Sequence, residues 1–305
     1  MESVHKTVLL NETIDGLNLG PGSIVVDATF GGGGHSLEIC KRYPGVKIFA
    51  LDQDKSTFAK AESKFKSSNC DISFININFK DIDKVGVSEV DGIIFDLGLS
   101  SDQLTPPVGE SGRGFSFMRD EPLIMTMKDN PLPEDITAED VVNTWGEESL
   151  ADIIYGYGEE KQARRIAKQI VESRKKQKIK TTFDLVRIIE EAIPAKFRKG
   201  HARGRASKIH FATKTFQAIR IAVNDELGAL SQGLSKGFEL LKSGGRMSVI
   251  SFHSLEDRVV KKFYKKLAEE KRAILINKKP IITPAEEIKN NPRSRSAKLR
   301  ILSKI

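Results

Sequence analysis

Cysteine is scarce: Cys40 and Cys70 are the only two in 305 residues, and they lack C-x-x-C spacing. That excludes a disulfide-rich scaffold and a thiolate zinc site, so both thiols are expected to be reduced and buried and no metal is expected. Long apolar runs are missing too. Nothing approaches the roughly 18 consecutive apolar residues of a membrane span, and residues 1–6 have no signal-peptide core behind them. A cytoplasmic protein without membrane association is expected. With 39% hydrophobic and 30% charged residues, the chain has material for one large domain or two smaller ones.

What is present begins at Ile24–His35, IVVDATFGGGGH. Three β-branched residues form a buried-strand run, Asp27 ends it, and Gly31–Gly34 follow as a loop suited to close backbone approach by a ligand. Ser36–Arg42 reads as a helix, whose first turn offers unpaired N–H groups. Val46–Leu51 reads as a second strand ending at Asp52 and Asp54. An acid there can accept both hydroxyl hydrogens of a ribose. The dinucleotide fingerprint G-x-G-x-x-G is incomplete, because Ser36 stands where the third glycine belongs. The loop by itself leaves NAD and S-adenosylmethionine both open.

The chain downstream separates these two. Ile72–Ile77 alternates as a third strand and delivers Phe79 to the same sheet edge, where the ring either lies on adenine or caps the core. Asp91–Leu97 is a fourth strand running into Asp96, Gly98, Ser100 and Ser101. Hydride transfer has no use for such a group of acceptors. Methylation of an exocyclic amine does, since acceptors must draw on its N–H bonds and turn the nitrogen lone pair out of the ring. A base deaminase would need H-x-E and C-x-x-C zinc ligands, and neither occurs.

From about Thr105 to Ile209 the βα rhythm stops. A glycine-rich loop carries Arg113, Phe115, Phe117 and Arg119, and helices follow. Ala163, Ile166, Ala167, Ile170 and Val171 form an apolar stripe, and Thr181 with Asp184 makes a capping box. Charge is divided sharply here. Asp120–Glu160 has one Lys against twelve acids, while Lys161–Thr215 has seventeen Lys and Arg against four acids. The second stretch is either a polyanion-facing surface or a solvated helix face. The loop Lys196–Arg205 is suited to phosphates. The βα pattern then resumes with Ala212–Asn224, a helix over Glu226–Leu241 and a fifth strand over Arg246–Phe252, and Ser254 with Asp257 is expected to cap the next helix. Ala273–Asn277 and Lys298–Leu302 are expected to form an antiparallel pair at the sheet edge.

The blocks TVLLNETIDGL, DATFGGGGHS, DGIIFDLGLSSDQL, RGFSFMRDEPLIMTM, TFQAIRIAVNDEL, ISFHSLEDRVVKKF and NPRSRSAKLR, in this order across nearly the whole chain, resemble the bacterial 16S rRNA cytosine-N4 methyltransferase family. The resemblance implies an α/β fold: a class I, Rossmann-like methyltransferase sheet (1–104 and 210–305) interrupted by a mainly helical substrate-recognition domain (105–209). It implies S-adenosylmethionine as cofactor and N4 of a cytidine at the decoding centre, in the P site, as target. The partner is 16S rRNA within the 30S subunit, and the oligomeric state, a homodimer included, is left open. Carried over by position, Gly33, Gly34 and His35 touch the cofactor's amino-acid end, Asp52 holds the ribose, Phe79 flanks the adenine, and Asp96 and Gln103 complete the pocket. Asp96, Ser100 and Ser101 are the expected amine acceptors. Arg113, Phe115 and Phe117 are expected to grip an unstacked nucleotide, and His253 either contacts the substrate or is a structural histidine.

Overall fold

The computed structural model describes residues 7–66, 70–104, 111–195, 201–202, 205–206 and 210–305. The chain divides into two compact units, one of residues 1–100 and 227–305, the other Ser101–Glu226.

The first unit is built on eight strands: β1 (Ile24–Asp27), β2 (Lys47–Leu51), β3 (Asp71–Ile75), β4 (Val90–Asp96), β5 (Leu241–Ser251), β6 (Ala273–Leu275), β7 (Ile281–Ile282) and β8 (Lys298–Lys304). Their order is β3-β2-β1-β4-β5-β8-β6, with β7 also pairing to β8. The first five are mutually parallel. Strand β8 runs antiparallel to both β5 and β6, so the expected antiparallel pair forms at the sheet edge, with β6 outermost and the terminal strand β8 between it and β5. This order, with one reversed strand next to the last, is the class I methyltransferase topology.

Alternation along each strand sends neighbouring residues to opposite faces. Val26 and Ile93 join a core with Phe95, Leu234, Phe238 and Met247, whereas Val25 and Ile94 join Ile14, Phe30, Ile39 and Phe65 on the other face. Helices α1 (Leu10–Leu17), α2 (Gly34–Arg42) and α3 (Ser56–Lys66) supply the second core. A sheet covered on both faces explains why its strands are continuous apolar runs. Gly244, at φ 78°, breaks β5, and regular pairing to β4 resumes at Arg246 opposite Gly92.

Cys40 and Cys70 are joined by a disulfide, with their Cα atoms 5.5 Å apart. The expectation of two reduced thiols is therefore corrected. Folding brings the end of α2 to the entry of β3, a proximity that the spacing in sequence does not encode.

In the second unit, α4 (Ser101–Leu104), α5 (Ala138–Thr144), α6 (Glu147–Gly156), α7 (Ala163–Lys176), α8 (Thr182–Ala192) and α9 (Thr213–Asn224) follow in chain order. The expected apolar stripe is its core: Ala163, Ile166, Ala167 and Ile170 are buried with Val141, Leu150, Ile154, Leu185 and Ile189. Thr137 with Asp140 and Thr181 with Asp184 close capping boxes. Helix α9 belongs to this unit, although its sequence suggested a return to the sheet. The basic loop Lys196–Arg205 lies outside the described residues apart from the backbone of His201–Ala202 and of Arg205, where His201–Ala202 pairs antiparallel with Arg205–Ala206. Back in the first unit, α10 (Glu226–Leu240), which leads into it, covers one sheet face, while α11 (Ser254–Glu269) and α12 (Ala285–Asn290) come after β5.

Candidate active site

The carboxyl ends of β1, β2 and β4 meet at one rim of the sheet, where open α/β folds hold their ligands. Asp27 ends β1 and is buried. Its Oδ2 accepts from Ser36 Oγ at 2.6 Å, and its Oδ1 accepts from Thr29 N at 3.3 Å. Between these partners runs the glycine loop. Gly31 and Gly33 take φ values of 51° and 71°, which disfavour any side chain. At Gly33 a Cβ would also lie 2.6 Å from Phe30 Cζ. Gly33 precedes α2, so Gly34 and His35 form its first turn.

Asp52 anchors the loop from the second strand. Its Oδ2 accepts from Gly31 N and its Oδ1 from Asp54 N, both at 2.8 Å. At the end of β4, Asp96 N donates to Thr29 Oγ1 at 2.6 Å, and Asp96 Oδ2 lies 3.8 Å from His35 Nδ1. The His35 side chain is 5% exposed and that of Asp96 21%, so this contact is largely desolvated. Asp96 Oδ1 is buried and has no hydrogen-bond partner among the described residues.

Gathering acids at one dry rim raises their affinity for protons. Burial pushes Asp27 up to about 6, opposed by the hydrogen bonds from Ser36 and Thr29. Asp52 also rises to about 6, through burial and the nearby Asp54 and Asp27, against the pull of its two backbone donors. Asp96 goes furthest, to about 8, from burial first and then from Asp27 and Glu256. Among the described residues, the charged neighbours that shift these three acids are themselves acids, and a cationic ligand would relieve them.

Phe79 is half-buried after β3, edge-to-face on Phe95 at 5.6 Å. Ser100 is half-buried in the turn after Gly98, whose φ is 112°. Ser101 and Gln103 fall in α4, at the start of the second unit. Gln103 is buried, and the Ser101 side chain is outside the described residues.

His253, not Ser254, caps α11, which corrects the expected Ser254–Asp257 cap. Glu256 N donates to His253 Nδ1 at 3.4 Å, and Glu256 Oε2 accepts from Phe252 N at 2.8 Å and His253 N at 3.2 Å. Glu256 Oε1 also lies 3.0 Å from His253 Nε2. The imidazole thus has a structural task.

Within the second unit, Arg113 Nη1 donates to the carbonyls of Met127 at 3.2 Å and Lys128 at 2.7 Å, and the guanidinium lies over Phe115. Phe115 is 7% exposed, so that ring supports the loop and offers no free face to a base. Phe117 is half-buried and stacks on His210 at 4.5 Å. The three residues expected together therefore have different tasks. Sequence reasoning passed over Asp27 as a strand terminator and did not single out Ser36 or Glu256. The available signal was an acid just before the glycine loop with a hydroxyl nine residues on.

The family model for the MraW methylase family matches residues 2–305. This chain belongs to the MraW methylase family. It is 45% identical over 329 residues to the ribosomal RNA small subunit methyltransferase H of Ruminiclostridium cellulolyticum, covering all of both chains. Identity to the protein of the same name from Clostridioides difficile is 43% over 325 residues, again covering all of both. Among solved structures, a putative rRNA-methylase from Clostridium thermocellum is 14% identical with a TM-score of 0.47, covering 99% of this chain and 100% of that one. In this MraW methylase, the elements around the glycine loop therefore belong to a methyl-transferring enzyme.

Proposed function

We propose that the protein transfers a methyl group from S-adenosylmethionine to N4 of a cytidine in 16S rRNA, at the P site of the decoding centre in the 30S subunit. The observation that carries this reading is the triad Asp27, Asp52 and Asp96 around a glycine loop, three acids of raised proton affinity in a chain of the MraW methylase family. Relatives named ribosomal RNA small subunit methyltransferase H support the choice of RNA.

The residues present fit this cofactor. The loop at Gly33 has no room for a side chain, and the buried Asp96 Oδ1 lacks a partner among the described residues. When bound, S-adenosylmethionine supplies a cationic sulfonium bearing an electrophilic methyl group. Gly33, Gly34 and His35 hold its amino-acid end, Asp52 its ribose and Phe79 its adenine face. A carboxylate at Asp96 accepts an N–H of the target amine, with Ser100 as a second acceptor, and this orients the nitrogen lone pair. Held as a carboxylate, Asp96 takes the proton that the methylated amine must lose. Cations of the second unit hold the RNA backbone.

The test uses purified protein, labelled methyl donor, and 16S rRNA or 30S particles from a strain lacking this methylation. Nuclease digestion and mass spectrometry should find N4-methylcytidine. Label on another atom, or none on either substrate, overturns the proposal, and calorimetric binding of NAD in preference to S-adenosylmethionine would restore the dehydrogenase reading.

A further inference from the structure

Away from the glycine loop, the second unit holds a cavity of about 410 Å³ between the end of α6 and the start of α7. Its lining includes Asp152, Tyr155, Lys161, Gln162, Arg164 and Arg165. The volume falls within the range that accommodates small ligands. Three features of the lining are locally unfavourable for the protein alone.

Tyr155 is 68% exposed, so much of an aromatic ring is left in water. Lys161, Arg164 and Arg165 are exposed, and none makes an ion pair with a described residue. The three also cluster around the first turn of α7, which contains no acid, where positive charge opposes the helix dipole. Local conflict of this kind is characteristic of sites shaped for a partner.

We infer that this cavity docks a single-stranded segment of RNA, with one unpaired base on Tyr155 and the flanking phosphates on Lys161, Arg164 and Arg165. Aromatic faces stack on any base, and cations follow the backbone, which together define single-strand binding surfaces. Asp152 cannot hold a phosphate. It accepts a hydrogen from a base amine or a ribose 2′-hydroxyl, and so it belongs on the base side of the cavity. An acidic peptide would satisfy the cations but leave both the exposed ring and Asp152 without a role. The inference deepens the rRNA reading and rests on it for the identity of the RNA.

The test compares full-length wild type with Tyr155→Ala, Tyr155→Phe, the double variant Arg164→Gln/Arg165→Gln, and a charge-matched control on the same helix, Lys175→Gln/Lys176→Gln. The probes are a fluorescent twelve-nucleotide oligouridylate, polyglutamate, and the unmethylated RNA substrate. The arginine double variant should raise KM for RNA about tenfold at unchanged kcat and flatten the salt dependence of oligonucleotide binding by about 1.4 in slope, from about 0.7 for each of two contacts to a single strand. Tyr155→Ala should weaken the oligonucleotide about tenfold without changing that slope, and Tyr155→Phe should restore it. Binding of S-adenosylmethionine and circular dichroism should match wild type throughout. Cavity variants indistinguishable from the control, or polyglutamate bound as tightly as RNA, would overturn the inference. If wild type methylates no RNA, the proposed function fails, while oligonucleotide binding still judges the cavity.

Discussion

Ser36 Oγ donates to Asp27 Oδ2 at 2.6 Å, so the first turn of α2 is fastened to the last residue of β1 across the glycine loop. This bond shapes the loop, and it also holds an acid in a place where ionisation is unfavourable.

The first prediction concerns that acid. Asp27 has a folded pKa of about 6 against 3.8 for the free side chain. The native state therefore binds the proton more tightly than the unfolded chain, and the stability this gives is complete below about pH 4 and lost as pH rises through 6. Asp27→Asn keeps an acceptor for Ser36 and removes the charge. At pH 8 it should stabilise the ligand-free protein by about 3 kcal/mol relative to its effect at pH 4, from roughly two pKa units at 1.36 kcal/mol each. Urea unfolding at both pH values measures this. Equal effects at both would show that Asp27 ionisation has no influence on folding.

Asp96 leads to a binding measurement. With its pKa near 8 it is mostly protonated at pH 7 in the free protein, and a cationic sulfonium beside it favours the carboxylate. Binding of S-adenosylmethionine should therefore release a proton, and affinity should rise between pH 6 and 8. Calorimetry in two buffers of different ionisation enthalpy counts the protons. Asp96→Asn should remove most of the release, and an unchanged count in that variant would contradict the assignment.

Much of this rim was legible because its parts are local in sequence. A β-branched run, a glycine loop and an acid after the next strand sit in the stretch 24–54, and each leaves a compositional mark. The rest depends on distant segments. Glu256 acts on Asp96 from more than 150 residues away, and the Cys40–Cys70 bond exists only once α2 lies beside β3. The cap of α11 was misread by one residue, because histidine is an unusual cap and Ser254 a common one. Phe115 read as a base platform because a buried ring and an exposed one look alike in a glycine-rich loop.

The glycines of the loop should not be equivalent. Gly33→Ala places a Cβ 2.6 Å from the buried Phe30 ring at φ 71°, which combines left-handed strain with overpacking and should cost about 2–4 kcal/mol. Gly31 has φ 51° but only Thr29 O within 4 Å, at 3.9 Å. Gly31→Ala should therefore cost only about 1–2 kcal/mol. Paired denaturation curves decide, and the reverse ranking would refute the packing argument.

The disulfide closes a loop with a sequence separation of 30, enclosing β2, Asp52 and α3. On the chain-entropy model that closure contributes about 3–4 kcal/mol. A phosphine reductant should lower the unfolding midpoint of wild type and leave Cys70→Ser unchanged. Titration of two free thiols in native protein purified without reductant would rule the bond out.

Glu256 links the architecture of β5–α11 to the charge state of Asp96. Its Oε2 accepts from Phe252 N and His253 N, and its negative charge is among the causes of the raised Asp96 pKa. Glu256→Gln retains an acceptor oxygen for the cap while removing the charge, so stability should change by less than about 1 kcal/mol. With that charge gone, Asp96 ionises more readily, and the pH profile of S-adenosylmethionine binding should move to lower pH. Glu256→Ala removes the acceptors as well, and should produce the same shift together with a loss of about 1–2 kcal/mol. Each profile is compared with its counterpart on an Asp96→Asn background. A shift that persists there would assign the pH dependence to a group other than Asp96.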